Sequence, residues 1–310
     1  MGLSLGSFTA PGGSARLGAE IATLARRIEA ARFDSLWVWD HFFWDETPVG
    51  PGVTDREMLE AYTLLSFLAG VTENIELGTM VASATYRHPA VLVKQVTSLD
   101  VLSGGRIIFG IGAGWFEEEH RALGIPFPKR AERFERLEET VRIALQMWSD
   151  EGEYERAKPF DGRHYHLERT LNVPQVLRRP HPPILIGGAG ERKTLRLVAQ
   201  YADACNLPDS LTLEQLAHKL TVLRQHCAQL GRPYDAIAKT VNGARRATPI
   251  EAASIPHAIE YSRRLAGLGI GTVVLASEKV DIYAPAVLDR WARELLPALH
   301  ELDVAGPKTS

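Results

Sequence analysis

An aspartate–histidine pair at positions 40 and 41 is the first candidate for chemistry in this sequence. Asp40 and His41 directly follow the apolar segment 36–39, which is typical of a buried strand. A histidine side chain can donate, accept or carry a proton near neutral pH, so this pair could transfer a proton. A structural role is equally open, in which Asp40 bonds loop amides and His41 packs against Phe42 and Trp44.

A second candidate is a run of small residues, Gly187, Gly188, Ala189 and Gly190, between a predicted strand and a predicted helix. Small residues let backbone N–H groups approach an anion, and the start of a helix adds positive potential. We therefore predict a phosphate-binding loop, while a tight turn would need glycine for its geometry alone. The glycines of segment 110–114 are a weaker signal, because they lack the third glycine of the dinucleotide-binding fingerprint.

Two further polar clusters have simpler interpretations. His164 and His166 would face the same way from a strand, but no carboxylate or cysteine stands at ligand spacing. We therefore predict a solvated hairpin there and no metal site. The acidic run 117–119 is typical of an exposed helix start that the helix dipole stabilises. Either Glu118 or Glu119 could instead turn inward.

Four tryptophans stand close to the predicted carboxyl ends of strands, at positions 37, 39, 44 and 115. Most of such a cluster is expected to belong to the core. A flat aromatic ligand would nevertheless find stacking surfaces among these rings. Trp44 and Trp115 are our candidates for lining a substrate pocket.

Composition limits the functional classes that need to be considered. The 310 residues include 35 Lys plus Arg and 38 Asp plus Glu, a formal net charge of −3, so a strongly basic nucleic-acid binder is not expected. Cys205 and Cys227 are too few for a disulfide framework, which favours a reducing cytoplasm. No stretch approaches the roughly 18 apolar residues of a membrane helix. We expect a soluble, cytoplasmic protein that acts on a small organic molecule.

The elements that would position these residues alternate between short apolar runs and longer amphipathic stretches, the pattern of strands followed by helices. The predicted strands are 3–8, 35–39, 75–81, 106–112, 184–187, 204–206, 238–243 and 272–276. Helix starts are predicted from the capping boxes 54–57 and 212–215 and from Pro89 in a first turn. Eight such pairs favour an α/β fold, a (βα)8 TIM barrel whose working face lies at the carboxyl ends of the strands. A doubly wound open sheet is the alternative.

One segment, 150–183, interrupts this rhythm between the fourth helix and the fifth strand. It has no helical period, and Asp161 and Gly162 stand between the segments 154–160 and 165–167. This pattern predicts an inserted hairpin with a tight turn. No linker of low complexity is present, so we predict a single domain over 1–310 that contains this insertion.

Several blocks of the sequence, taken together in order, resemble one known family. They are 33–41, 77–81 with 86–89, 102–106, 110–115, and 186–190 with 201–203. They look like the luciferase-like monooxygenase superfamily, and more narrowly like its deazaflavin-dependent branch, which uses coenzyme F420. The resemblance implies a (βα)8 barrel with an insertion, a flavin-like ring across the carboxyl face, and a homodimer.

The resemblance also implies roles for individual residues. His41 would lie beside the deazaflavin as the catalytic proton-transfer or charge-stabilising group, and Asp40 would contact the ring system. The peptide bond between Met80 and Val81 would be cis and would form a bulge behind the ring. The other positions implied near the cofactor are Ser83, Gly112, Gly114 and Glu118, and the phosphate would lie on Gly187, Gly188, Ala189 and Gly190.

One position departs from the pattern of the family. Members that oxidise a sugar phosphate or an alcohol carry a glutamate directly after the second glycine of the strand-four motif, where this sequence has Trp115. We therefore expect an F420-dependent oxidoreductase that moves a hydride between the deazaflavin C5 and an organic substrate, with a preference for reducing an activated C=C or C=N bond. An FMN-dependent monooxygenase and a non-catalytic flavin-binding barrel are the alternatives.

Two predicted helices, 57–70 and 89–102, are apolar around more of their circumference than one core-facing stripe requires. A second apolar face needs a cover, and a twofold pairing of identical chains is the commonest one. We therefore expect a homodimer through these helices. The alternative is that the insertion or a neighbouring helix covers the face.

Overall fold

In the computed structural model, parallel strands form the centre of the described part of the protein. The structure describes residues 1–6, 8, 13–43, 57–208, 210–242, 247–249, 254–277, 280–302 and 304. The strands are β1 (Gly2–Leu5), β2 (Ser35–Val38), β3 (Glu76–Thr79), β4 (Ala82–Ser83), β5 (Ile107–Gly112), β6 (Phe160–Asp161), β7 (His166–Leu167), β8 (Ile184–Gly187), β9 (Ala204–Pro208), β10 (Ala238–Asn242) and β11 (Thr272–Ala276). All except β6 and β7 belong to one sheet.

The sheet closes on itself because β1 pairs with both β2 and β11, so that Gly2 stands opposite Ser35 and Val274. Around the barrel the order is β1, β2, β3, β5, β8, β9, β10 and β11, while β4 continues the line of β3 along β5. The predicted (βα)8 barrel is confirmed. The open sheet is wrong, because an open sheet would leave its edge strands unpaired.

Helices surround this barrel in the described residues: α1 (Ser14–Ala30), α2 (Ala61–Val71), α3 (Pro89–Ser103), α4 (Glu117–Ala122), α5 (Arg130–Trp148), α6 (Thr194–Tyr201), α7 (Leu213–Leu230), α8 (Ile255–Gly267), α9 (Pro285–Arg290) and α10 (Leu296–His300). The predicted capping box at Thr212 and Gln215 is confirmed, and Pro89 occupies the first turn of α3. Gly104 ends α3 with a φ of 70°, a conformation that glycine adopts without steric cost. Within the described ranges, no helix is long and apolar enough to span a membrane.

The predicted start of α2 is wrong by four residues. The backbone of Glu57 forms a bridge with Phe8 instead of opening the helix, and 54–56 lie outside the described residues. Glu60 is the residue that caps α2, because its carboxylate accepts hydrogen bonds from the N–H groups of Tyr62 and Thr63. Glu57 and Glu60 both look like acidic residues at a helix start, but only Glu60 has its carboxylate at the first turn of α2.

The segment between α5 and β8 contains the predicted hairpin, formed by β6 and β7. Its turn is longer than predicted, because Asp161 pairs with His166 and the N–H of Gly162 bonds the carbonyl of Tyr165 at 2.9 Å. The buried Glu139 carboxylate of α5 accepts hydrogen bonds from consecutive amides of this turn, at 163, 164 and 165. The division of the chain into one domain with an insertion at 150–183 stays a prediction.

The two histidines of this hairpin have separate carboxylate partners. His164 contacts Glu135 of α5 at 2.7 Å, and His166 contacts Asp161 at 2.6 Å. Each ring therefore contacts a different carboxylate, and the two histidines do not share a partner.

A small apolar cluster fills the barrel interior, separate from the core between sheet and helices. It contains Trp37, Met80, Leu185, Ala204 and Val274. The Trp37 indole donates a hydrogen bond to the Ser35 hydroxyl at 2.8 Å. A Cβ at Gly78 would stand 2.7 Å from the indole ring, so the glycine leaves the space that the ring occupies.

We predict that Trp37→Ala lowers the free energy of unfolding by about 3–5 kcal/mol, because it leaves a cavity inside the barrel. Trp115→Ala is the matched control: that indole is 64% exposed, and we expect a loss of about 1 kcal/mol or less. Urea denaturation monitored by circular dichroism measures both changes. Equal losses for the two variants would contradict the interior position of Trp37.

Candidate active site

The carboxyl ends of β2, β4, β5 and β8 meet at one face of the barrel, as they must in a parallel barrel. Asp40 and His41 follow β2, Gly112 ends β5 and Gly187 ends β8. Met80 and Val81 join β3 to β4 through a cis peptide bond, which confirms the expectation from the family resemblance. The fold therefore places the main predicted site residues on one face, which we call the barrel mouth.

His41 is oriented by a buried carboxylate, that of Glu119 in α4. The His41 Nδ1 and the Glu119 Oε2 are 2.9 Å apart, and Glu119 is completely buried. The same carboxylate accepts hydrogen bonds from the Tyr86 hydroxyl and from the N–H groups of Phe42 and Phe43. An ionised carboxylate can only accept, so the Nδ1 of His41 carries a proton. In this tautomer the Nε2 of His41 carries the ring's lone pair.

The hydrogen bonds at Glu119 also determine its charge. Burial by itself would raise the pKa of Glu119, but the hydrogen bonds from His41, Tyr86 and the Phe42 amide outweigh burial and lower it. Burial and the adjacent Glu119 both raise the pKa of Tyr86. Glu119 therefore stays ionised and Tyr86 stays protonated near neutral pH, so each keeps its part in the hydrogen bond.

Asp40 has a different set of partners, all within the protein. Its two carboxylate oxygens accept a bidentate pair of hydrogen bonds from Arg87 at 2.8 Å each, and one of them also accepts the Ser83 N–H at 3.0 Å. Arg87 also binds Glu60, the cap of α2, and its guanidinium lies 4.9 Å from the ring centre of Tyr62. Burial lowers the pKa of Arg87, but Asp40, Tyr62 and Glu60 together raise it by more, so the ion pair persists. Contact of Asp40 with a cofactor ring stays a prediction.

A second hydrogen-bonded chain starts at Ser83. Its hydroxyl contacts that of Thr85 at 2.7 Å, and Thr85 contacts the Nε2 of the buried His120, also at 2.7 Å. The Nδ1 of His120 donates to the carbonyl of Phe116 at 2.7 Å. Two neighbouring residues of α4, Glu119 and His120, thus hold two separate chains at the barrel mouth.

Glu118 does not share this position. It is exposed, whereas Glu119 turns inward, because successive residues of a helix point about 100° apart. The sequence did not decide whether Glu118 or Glu119 would turn inward, and the family resemblance placed Glu118 near the cofactor. That contact of Glu118 stays a prediction, and Glu119 is the site residue that was not assigned.

Several glycines of the mouth make room for the side chain of Val81. A Cβ at Gly112 or at Gly187 would stand 3.0 Å from a Val81 methyl carbon. A Cβ at Gly110 would be only 1.9 Å from the carbonyl oxygen of Thr79. Packing between neighbouring strands is therefore a sufficient reason for glycine at these positions, whether or not a ligand also approaches them.

Gly114 has two reasons to be glycine. Its φ is 76°, and a Cβ would stand 2.5 Å from the hydroxyl oxygen of Ser83 and 2.8 Å from that of Thr85. Any side chain here would break the hydrogen-bonded chain that leads to His120.

The loop 187–190 combines special backbone geometry with two unpaired amides. Gly188 has a φ of 122° and donates its N–H to the carbonyl of Asn206 at 2.9 Å. The N–H groups of Ala189 and Gly190 have no acceptor among the described residues. α6 begins at Thr194, three residues later than the sequence predicted. The loop thus offers two amides four and five residues ahead of α6, and backbone N–H groups of this kind can bind a phosphate.

Aromatic rings surround His41. The rings of Trp39, Trp115 and Phe116 lie edge-on to it, with centroid distances of 6.4, 5.9 and 5.7 Å. Trp115 stacks on Phe116 at 5.2 Å. Of the predicted tryptophan cluster, Trp37 fills the barrel interior, and Trp44 lies outside the described residues.

The sequence matches the family model described as luciferase-like monooxygenase over residues 2–276. It is 30% identical over 292 residues to the F420-dependent glucose-6-phosphate dehydrogenase of Tsukamurella paurometabola, an overlap of 89% of this chain and 76% of that protein. The Kineococcus radiotolerans protein of the same name is 35% identical over 180 residues, which span 56% of this chain and only 48% of that relative.

The fold is also similar to that of solved structures. The coenzyme F420 dependent tetrahydromethanopterin reductase from Methanopyrus kandleri superposes with a TM-score of 0.76 at 16% identity, covering 96% of this chain and 99% of that one. At this identity the likeness concerns the fold alone. The barrel agrees with the sequence match, and the chain belongs to the luciferase-like monooxygenase family.

Proposed function

We propose that the protein is an F420-dependent oxidoreductase that moves a hydride to or from a small organic substrate. The observation that carries the proposal is His41 held by the buried Glu119 at the barrel mouth. Both named curated relatives are F420-dependent dehydrogenases, which supports the choice of cofactor.

The residues at the mouth fit such a cofactor. The amides of Ala189 and Gly190 would hold its phosphate, and the face between His41 and Val81 would receive its ring system. When bound, the deazaflavin supplies a ring carbon that accepts or releases a hydride. In this proposal Asp40, Ser83, Gly112, Gly114 and Glu118 remain the further cofactor-contacting positions.

In this proposal the protein itself contributes the transfer of one proton. His41 exchanges it at Nε2, because its Nδ1 proton is engaged by Glu119. The ionised Glu119 stabilises the positively charged imidazole, and the amides of Phe42 and Phe43 keep the carboxylate in place. The rings of Trp115 and Phe116 pack edge-on against the imidazole and help to hold its orientation.

For the substrate we propose an activated C=C or C=N bond that is reduced. The motive is position 115, where an indole stands in place of the acid of the alcohol-oxidising members. Trp115, together with Trp44, is our proposed wall of the substrate pocket. The hydride would add to one atom of the double bond, and His41 would give its proton to the other atom, which balances the reduction.

A cytoplasmic location belongs to the same proposal. Cys205 and Cys227 are both buried and unpaired. Burial raises the pKa of the Cys205 thiol to about 12, which keeps it protonated and unreactive. Two such thiols suit a reducing compartment.

We also propose a homodimer through the outer faces of α2 and α3. Three large apolar side chains, Phe67, Val91 and Leu102, are exposed on these helices. A groove of about 550 Å³ runs between the helices and is bordered on one side by Leu171 of the insertion. The insertion therefore borders this face without covering it, and a second copy of the chain would bury it.

The first prediction from this proposal concerns the cofactor. Fluorescence titration with F420 should show saturable quenching, and titration with FMN should show none. Ala189→Asp places an anion beside the loop amides and should weaken F420 binding by about tenfold or more, since like charges at contact cost over 1 kcal/mol. Ala189→Asn is the matched neutral control and should bind nearly as the unmodified protein does. Binding of FMN alone would make the protein a flavin enzyme.

The second prediction concerns the proton. His41→Ala should bind F420 but lower kcat by about 10²–10⁴-fold, the usual contribution of a positioned proton-transfer group. Glu119→Gln keeps the shape of the side chain but removes the anion 2.9 Å from the imidazole, so the midpoint of the pH–rate profile should move to lower pH. Activity is followed with reduced F420 and a panel of activated alkenes and imines, and with oxidised F420 and glucose 6-phosphate. An unshifted profile in Glu119→Gln would refute the role of Glu119.

The third prediction concerns the dimer. Light scattering should give the mass of two chains at micromolar concentration, and Leu102→Glu should give the mass of one. Leu230→Glu, at an exposed leucine of α7, is the control and should stay dimeric. A single-chain mass for the unmodified protein would refute the dimer.

A further inference from the structure

A large cleft opens beside the loop 187–190, between the outer surfaces of α5 and α6. Its volume is about 1060 Å³, and its wall begins at Ala189 and Gly190. Its basic residues are Arg130, Arg192, Lys193, Arg196 and Lys219, and its acidic residues are Glu135, Glu138 and Glu191. We call this the arginine cleft.

The acidic residues of the arginine cleft are already engaged by other groups. Glu191 pairs with Lys219 and with His218, which lower its pKa. Glu135 pairs with His164 and Arg163 of the insertion, and Glu138 accepts the hydroxyl of Tyr201. The five basic residues also outnumber the three carboxylates, so the lining keeps a net positive charge.

The arginines of the cleft, in contrast, have no such partners. Within the described ranges, Arg130, Arg192 and Arg196 form no ion pair or hydrogen bond through their guanidinium groups. Lys193 lies over the ring of Phe134 at 5.6 Å, and its charge helps to lower the pKa of Glu135. Isolated surface arginines are commonly just solvated. Arg130, Arg192 and Arg196, in contrast, line one cleft together, and this cleft is continuous with the loop whose two amides can bind an anion.

We propose that the arginine cleft binds the acidic tail of the cofactor, a chain of γ-linked glutamates that extends from its phosphate. This rests on the proposed function, in which the phosphate lies on Ala189 and Gly190. A chain leaving that loop enters the cleft at Arg192 and continues along α6 past Arg196. Guanidinium groups bind carboxylates through paired hydrogen bonds, so several carboxylates in sequence suit this wall.

The arginine cleft also favours F420 over FMN, a choice that the barrel mouth alone does not determine. FMN ends at its phosphate and has nothing to place beyond Gly190. A barrel built for FMN has no use for a basic cleft at this position, whereas a cofactor with an acidic tail does.

Cofactor binding with and without the tail tests the proposal. The protein is titrated by fluorescence with F420 that carries several glutamates and with F420 trimmed to its phosphate-containing, tail-free form. The double variant Arg192→Gln/Arg196→Gln should bind the tailed form about tenfold more weakly, as expected for the loss of two screened ion pairs, and the tail-free form unchanged. Raising the salt to about 1 M should remove most of the advantage of the tail.

Arg26→Gln/Arg264→Gln, at exposed positions on α1 and α8, removes the same charge elsewhere and should bind both forms as the unmodified protein does. Equal affinity of the unmodified protein for both forms would overturn the tail site and leave the cofactor intact. Equal losses for both forms in the cleft variant would also overturn it, because the arginines would then act on the phosphate. Failure to bind either form would overturn the proposed function itself.

Discussion

The buried carboxylate of Glu119 determines the arrangement of the barrel mouth. An ionised group without contact to water is costly unless hydrogen bonds replace its hydration. Glu119 obtains them from His41, from Tyr86 and from the two amides that follow His41. These donors belong to the loop after β2 and to the segment before α3. Both segments are therefore tied to α4, and the orientation of His41 is a consequence of satisfying one acid.

Asp40 and His41 are neighbours in sequence with divided tasks. Asp40 is satisfied by Arg87 and the Ser83 amide, and Arg87 continues to Glu60 at the start of α2. This set of contacts anchors the end of β2 to the barrel wall. His41 can then present its ring at the mouth on a backbone that is held from both sides. The structural interpretation of the pair thus applies to Asp40, and the proton-transfer role of His41 stays a proposal.

The fold could be predicted because its signals are local. Apolar runs alternate with amphipathic stretches, and Pro89 and Thr212 mark helix starts within a few residues. The strand ends then place His41 and Gly187 on a common face. Glu119 was not assigned, since it meets His41 across 78 residues of sequence and a helix of six residues gives no readable face.

The glycines show the same limit. Position and residue type suggested a ligand for Gly112 and Gly187, while the contact that excludes a side chain comes from Val81, far away in the sequence. A sequence signal for that contact would require knowing which strands are neighbours. The short-range prediction of a cap at 54–57 failed for a related reason, because the Glu57 backbone is engaged by Phe8.

The packing of Val81 against Gly112 and Gly187 has a consequence for how such barrels can diverge. The three positions share one small volume, so a larger residue at either glycine requires a smaller one at position 81. Related chains should therefore change these positions together, and a chain with alanine at position 81 is where a side chain at 112 or 187 becomes tolerable. The shape of the surface behind the mouth would then be inherited as a set of three residues rather than one residue at a time.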